Sequence, residues 1–314
     1  MNKNGIGKKS VGENFVGFLL VQDVFEGVAR NGNDYLNVTL SDKTGDVKAM
    51  VWQVTDVEQE VFTKGNIVKV QGAVGEFQGI KQLNMQQYRL VQEGDDMRSS
   101  DVLESAPIEG EQLVSEIKEE IEHFTNEKIK AITLAVFEKY ESGFKVYPAA
   151  KSVHHDYVSG LAFHTYTMMN IAKSLCSIYP NLNKDLLIAG VILHDLGKVD
   201  EYTGYVSTDM TLEGKLKGHI SIINEEIGQV AKQLDLADSE EVLLLQHMVL
   251  SHHGKGEWGS PVPPLIIEAQ LLHQIDMIDA RMESYNKASK NVEVGEFTER
   301  SLGLDNRSFY KHNL

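Results

Sequence analysis

Apolar positions recur with a period of two between Phe15 and about Val91, and with a period of three to four beyond Glu111. Alternation buries one face of a strand, whereas a 3.6-residue period buries one stripe of a helix, so the change divides the chain. The first region opens with Phe15–Val21 and turns at Arg30-Asn31-Gly32-Asn33. Tyr35–Leu40 alternates, the turn Ser41–Asp46 carries Asp and Gly suited to a hairpin, and Val47–Trp52 resumes the pattern. A short helix is predicted over Asp56–Phe62, then two strands, Asn66–Val74 and Ile80–Val91, around the turn Gly75–Gly79. Three strands, a short helix and two strands follow the order of an OB-fold, although SH3-like barrels have similar lengths. A barrel used only for assembly would read the same.

Residues 93–110 are polar and charged and read as a linker. Leu113, Ile117, Ile121 and Phe124 then set a helical stripe. Further helices are predicted at about 126–142, 160–178, 184–196, 218–234, 238–251 and 264–287, and the tail after about Asn291 has no clear period. The expected architecture is multidomain: a small β-barrel of OB type over 1–92 and an all-α helical bundle over 111–314.

Composition narrows the classes. The chain has 314 residues, enough for two cores, with 42% hydrophobic and 24% charged residues. No run of about 18 apolar residues is present, which argues against a helical membrane span, and the lysines of the first ten residues precede no apolar stretch of a secretory signal. Cys176 is the one cysteine, which excludes an internal disulfide and fits the cytoplasm. The net charge is −16, yet residues 1–92 hold 10 basic and 10 acidic residues. The rear region therefore carries all the acidic excess, and if it handles phosphates it needs cations near its site.

Histidine supplies the candidate chemistry. His164 lies on an apolar helix; His194-Asp195 ends the apolar run Leu186–Leu193 and precedes Leu196-Gly197-Lys198. His219 opens a helix after Gly218, His252-His253-Gly254 closes another, and Asp276 follows Leu271-Leu272-His273-Gln274-Ile275. Gly197 is expected to supply a left-handed turn at the helix end. Imidazole and carboxylate are the donors that Mn²⁺, Fe²⁺, Co²⁺ or Zn²⁺ accept, and an Asp between two cations can bridge them. Two such cations can deprotonate a shared water and clamp a phosphate. His123, His247, His273 and His312 read instead as hydrogen-bonded core histidines, with His273 also placed to support Asp276 from one turn away.

The ordered set His164, His194-Asp195, His219, His252-His253, Asp276 resembles the HD phosphohydrolase superfamily, whose hallmark is H…HD…H…H…D on a helical bundle. The resemblance implies one metal on His164, His194, Asp195 and Asp276, and a second sharing Asp195 with His219, His252 and His253. An OB-fold ahead of this domain is similar to the YhaM-type 3′→5′ exoribonucleases. So are Pro148-Ala149-Ala150, His154-His155, Ser159–Thr165, Ser251-His252-His253-Gly254 and Gly259-Ser260-Pro261. That family implies a manganese- or cobalt-supported exonuclease releasing nucleoside 5′-monophosphates from single strands. Lys198 would meet a phosphate, or serve as a cation at a helix C-terminus. His154 and His155 would line the site, protonate the leaving group or play a structural part.

The barrel would grip the strand through aromatic platforms and cations. Of Phe18, Phe25, Tyr35, Trp52, Phe77 and Tyr88, at least half are expected in the core. Arg30, Tyr35, Lys48, Phe77 and Lys81 are the expected nucleic-acid contacts. The expected partners are single-stranded RNA or DNA and, in a processive enzyme, further copies of the chain in a ring; a membrane is not among them. Two rivals remain: an HD hydrolase acting on a small or cyclic nucleotide, and a non-catalytic OB/HD binding or scaffold protein. The absence of G-x-S-x-G disfavours a serine hydrolase, the place of Cys176 inside an apolar helix disfavours a cysteine hydrolase, and the absence of a P-loop motif excludes a P-loop nucleotidase.

Overall fold

The computed structural model describes residues 5–29, 32–92, 94–97, 102–150, 155–205 and 209–314. The chain forms two compact units, Met1–Ser105 and Ala106–Leu314. The first contains β1 (Asn14–Val28), β2 (Asp34–Asp42), β3 (Gly45–Trp52), α1 (Asp56–Val61), β4 (Ile67–Phe77) and β5 (Ile80–Leu90). The strands close into a barrel in the order β1-β2-β3-β5-β4. β1 serves two neighbours. Asn14–Leu20 pairs with β4 and Leu20–Val28 with β2, and a register shift between Val21 and Asp23 bends the strand from one partner to the other.

Alternation decides the interior. Leu36, Val38 and Leu40 of β2 and Val47, Ala49 and Val51 of β3 are buried, while Val61 and Phe62 at the end of α1 join the same core. α1 begins with a capping box between Thr55 and Glu58. Ile6 is also fully buried, its N–H donating to Asp42 Oδ2 at 2.7 Å. The β4–β5 turn is tighter than the sequence predicted. β4 runs to Phe77, leaving Gln78 and Gly79 alone in the turn, both with positive φ, as a two-residue hairpin demands.

The second unit is helical: α2 (Gly110–Glu122), α3 (Glu127–Phe144), α4 (Gly160–Ile178), α5 (Lys184–Leu193), α6 (Lys198–Glu201), α7 (Leu212–Gln233), α8 (Glu240–Ser251) and α9 (Ile267–Ser289). α5 is the axis of the bundle. Every residue from Asp185 to Leu193 is buried, and α3, α4, α8 and α9 pack around it. Gly190 makes the packing close, because a Cβ there would lie 2.3 Å from Met248 Cε. At the start of the helix, Asp185 Oδ2 accepts the N–H groups of Thr125 and Asn126, which pins α5 to the entry of α3.

Two expectations about these helices change. The helix predicted over 184–196 stops at Leu193, and a separate turn, α6, follows. The helix predicted from 218 begins at Leu212 and is broken at Gly218, whose φ of 71° and ψ of 154° no other residue type adopts readily. The tail, unreadable from its pattern, folds back on itself through isolated bridges Phe297–Tyr310 and Ser301–Arg307 around a 3-10 turn that packs on α9. Among the described residues, no helix is long and apolar enough to cross a membrane.

Candidate metal centre

The buried axis helix ends at Leu193, and there the polar residues converge. His194 and Asp195 follow α5 directly, α4 supplies His164 and α9 supplies Asp276. The break in α7 presents His219, and His252 and His253 follow α8. Ligand atoms of His164, His194 and Asp276 lie within 4.8 Å of one another, and so do those of His219, His252 and His253. Asp195 stands between the sets. Its Oδ2 is 3.2 Å from His194 Nε2 and 3.8 Å from His164 Nε2; its Oδ1 is 3.4 Å from His219 Nε2 and 3.8 Å from His252 Nε2. Asp276 Oδ1 completes the first set at 3.4 Å from His164 Nε2.

Each of the five imidazoles is fixed by its other nitrogen. Nδ1 of His194, His252 and His253 donates to the carbonyls of Val191, Val249 and Trp258 at 2.7–2.8 Å. His164 Nδ1 meets Asp279 Oδ2 at 2.7 Å and His219 Nδ1 meets Glu201 Oε1 at 3.2 Å. A proton held on Nδ1 leaves the Nε2 lone pair directed into the site, the arrangement that metal-ligating histidines use. Among the described residues, Nε2 of His194, His219 and His252 and Oδ1 of Asp195 are buried without a hydrogen-bond partner. Four such atoms in one place call for a ligand, because buried polar atoms are otherwise satisfied. Neutral imidazole and carboxylate fit a first-row divalent cation.

Electrostatics point the same way. Burial alone would raise the Asp195 carboxyl, but His194, Lys198 and His219 overrule it and hold it well below the usual carboxylate range. Asp276 is likewise held low by His164 and His194 against its burial. Burial and the neighbouring His194 and His253 push His252 well down, so it stays neutral with its lone pair available. His164 is the exception. Burial would lower it, yet Asp276 and Asp279 raise it to about 10, so without an ion the carboxylates keep a proton where a cation would otherwise bind.

Other expectations need correction. Gly197 is not left-handed: with φ −60° and ψ −15° it is ordinary helical backbone. Its value is space, since a Cβ there would lie 2.3 Å from the His219 carbonyl oxygen. Lys198 starts the four-residue α6, and its buried Nζ donates to Asp195 Oδ2 and to the Ala149 carbonyl, both at 2.7 Å. Burial would lower its ammonium, but Asp195 more than offsets this and raises it. Both ring nitrogens of His155 face inward partners, Nδ1 the Tyr157 hydroxyl at 2.7 Å and Nε2 Asp279 Oδ2 at 2.6 Å, which places it behind His164 rather than at a leaving group. His154 lies outside the described residues. His123 and His312 are exposed and His247 is half-buried, so none of these sits in the core. His273, also half-buried, donates to the His252 carbonyl and thus supports the doublet more than Asp276.

Sequence reasoning missed Asp279 and Glu201. Asp279 accepts from His155, His164 and Thr167, and Glu201 accepts both the backbone N–H and Nδ1 of His219. Asp279 had a signal, standing one turn beyond Asp276 on α9. Glu201 had none, since only the break at Gly218 brings His219 to it.

The barrel also departs from expectation. None of Phe18, Phe25, Tyr35, Trp52, Phe77 and Tyr88 is buried; Phe15 and Phe62 fill the core instead. Phe25, Trp52 and Phe77 are each at least 60% exposed. Tyr35 lies opposite Trp52 across β2 and β3, with ring centroids 5.5 Å apart. Lys48 is exposed, but Lys81 donates to the carbonyls of Ile6 and Gly7 and so anchors the N-terminal turn. Arg30 lies outside the described residues.

Two family models match the chain, an OB-fold nucleic acid binding domain over residues 20–91 and an HD domain over 161–281. The 3′-5′ exoribonuclease YhaM of Geobacillus sp. (strain WCH70) is 49% identical over 307 residues, covering 98% of this chain and 94% of that protein. Those of Oceanobacillus iheyensis and Halalkalibacterium halodurans are 46% and 45% identical, covering 99% of this chain and 98% and 97% of their own lengths. With the five-stranded barrel and the His/Asp centre both in place, the chain belongs to the YhaM family of 3′-5′ exoribonucleases.

Proposed function

We propose that this chain shortens single-stranded RNA from its 3′ end, releasing nucleoside 5′-monophosphates, and that its helical unit binds two divalent cations for the purpose. One observation carries the reading: Asp195 turns one oxygen to each of two histidine sets, the disposition a bridging carboxylate requires. Bound there, a pair of cations, Mn²⁺ first, with Co²⁺, Fe²⁺ or Zn²⁺ as substitutes, supplies an activated water and neutralises charge on the scissile phosphate.

The chain's own groups do the rest. Asp195 joins the two sets, and Lys198 at 2.7 Å keeps its carboxylate charged and in place. Asp279 and Glu201 orient His164 and His219 through Nδ1, as carboxylates behind metal-bound histidines do. Asp276 remains the more accessible carboxylate, its side chain 19% exposed against 5% for Asp195, so an incoming phosphate approaches from its side. The barrel, residues 1–92 in this reading, offers Tyr35, Trp52, Phe77 and Lys48 to the strand, and residues 111–314 cut it. Stacking on exposed rings tolerates any base, which suits an enzyme that must degrade every sequence. The cytoplasm, where a lone thiol stays reduced, is the matching compartment.

The test is a degradation ladder on RNA labelled at the 5′ end and, separately, at the 3′ end, with Mn²⁺. A ladder descending from the 3′ end, with single-nucleotide release of the 3′ label as monophosphate, is expected. Turnover of mononucleotides or cyclic nucleotides with no shortening of RNA would end the proposal.

A further inference from the structure

The loop between α8 and α9 begins at two candidate ligands and carries an aromatic ring at its crest. His253 Nδ1 donates to the Trp258 carbonyl at 2.7 Å, so the Trp258 backbone is one hydrogen bond from the centre. The 3-10 turn Gly256–Trp258 brings the indole to the surface, where the residue is 43% exposed, and Gly259 at φ 102° ends the turn. Behind the indole lies the His273 ring, centroids 5.9 Å apart, itself held by its bond to the His252 carbonyl at 3.0 Å. Lys255 Nζ hovers 4.5 Å from the indole centroid. Both histidines of the doublet therefore help fix a ring that the core does not bury. Rigidity without burial is what a stacking platform needs.

We propose that Trp258 is the platform on which the base of the 3′-terminal nucleotide stacks, with Lys255 giving up the ring face and turning to the phosphates. The inference rests on the exoribonuclease reading above. A cation over an exposed ring favours its place by roughly 2- to 5-fold, whereas stacking of a base favours binding by roughly 5- to 150-fold. The base therefore displaces the ammonium. A stacked terminal base also fixes how far the strand enters, so that one phosphodiester at a time reaches the centre.

Trp258→Ala retains the peptide carbonyl that holds His253, so its metal content should equal that of the native protein. Its KM for Mn²⁺-supported hydrolysis of single-stranded RNA should rise about 10-fold, with kcat little changed. RNA ending in an abasic 3′ nucleotide should cost the native protein a similar factor and the variant nothing further; an equal abasic penalty in both proteins would overturn the platform. Trp258→Phe should recover most of the loss. A second measurement needs no turnover: with Trp52→Phe leaving Trp258 as the one tryptophan, adenosine 5′-monophosphate should quench its fluorescence and ribose 5-phosphate should not. Equal effects of the two would refute the platform. Quenching by the nucleotide alone, with no shortening of RNA by the native protein, would instead remove the exoribonuclease reading and leave the base subsite standing.

Discussion

The barrel and the helical bundle place their working residues in opposite environments. In the bundle His164, His194, Asp195 and His252 are buried among packed helices, with His219, His253 and Asp276 half-buried beside them. In the barrel the candidate contacts lie on the outer surface, with Phe25, Trp52 and Phe77 largely in solvent. Burial makes the first set rigid and mutually dependent, because removal of one group leaves others unsatisfied in a medium of low dielectric. Exposure makes the second set nearly additive, since water replaces whatever is lost. One half should therefore fail all at once and the other by degrees.

The largest effect is expected from Asp195→Asn. Loss of the shared carboxylate should remove bound metal and lower kcat by about 10³-fold or more, while RNA binding by the barrel persists in a filter or anisotropy assay. Retention of both metals by elemental analysis would contradict the bridging role. Asp279→Asn should come next, lowering metal affinity by about 10- to 100-fold through a loosened His164, read by titration calorimetry with Mn²⁺.

Trp52→Ala tests the other side of the contrast. KM for RNA should rise about 10-fold with kcat and metal content unchanged, and the loss should combine multiplicatively with that of Phe77→Ala. A fall in metal content would show that the halves are not separable in this way. The smallest effect concerns stability alone. Burial would raise the Glu120 carboxyl, but Lys173 and Lys184 lower it below its ordinary 4.5. A depressed carboxylate stabilises the fold above the unfolded value and loses that contribution as pH falls through the folded one. Glu120→Gln should thus lower Tm by about 2–4 °C at pH 7. The difference should vanish once pH drops below the folded value, as followed by calorimetry.

The same contrast governs what could be read beforehand. The candidate ligands were legible because a His or Asp beside an apolar helical run is conspicuous, and the fold brings His164, His194, Asp195, His219, His252, His253 and Asp276 together. The exposure of the barrel aromatics was not legible because alternation gives the period of a strand but not which phase faces inward. The bond of Lys81 to the N-terminal turn was not legible, because a cation's partner can stand 75 residues away, as Ile6 does.

The sequence alone determined the two-part plan, the switch from strands to helices, the donor chemistry of the centre and the family. The plan, the switch and the donors follow from local periodicity and from side-chain type, which a linear reading contains, and the family from the resemblance of the ordered His/Asp motifs. Tertiary structure alone decided that Asp195 lies between the two sets, that Asp279 and Glu201 stand behind the histidines, and that Gly197 matters for space rather than for φ. Each of these depends on the distance between segments remote in the chain, and that distance is fixed only when the bundle packs around α5.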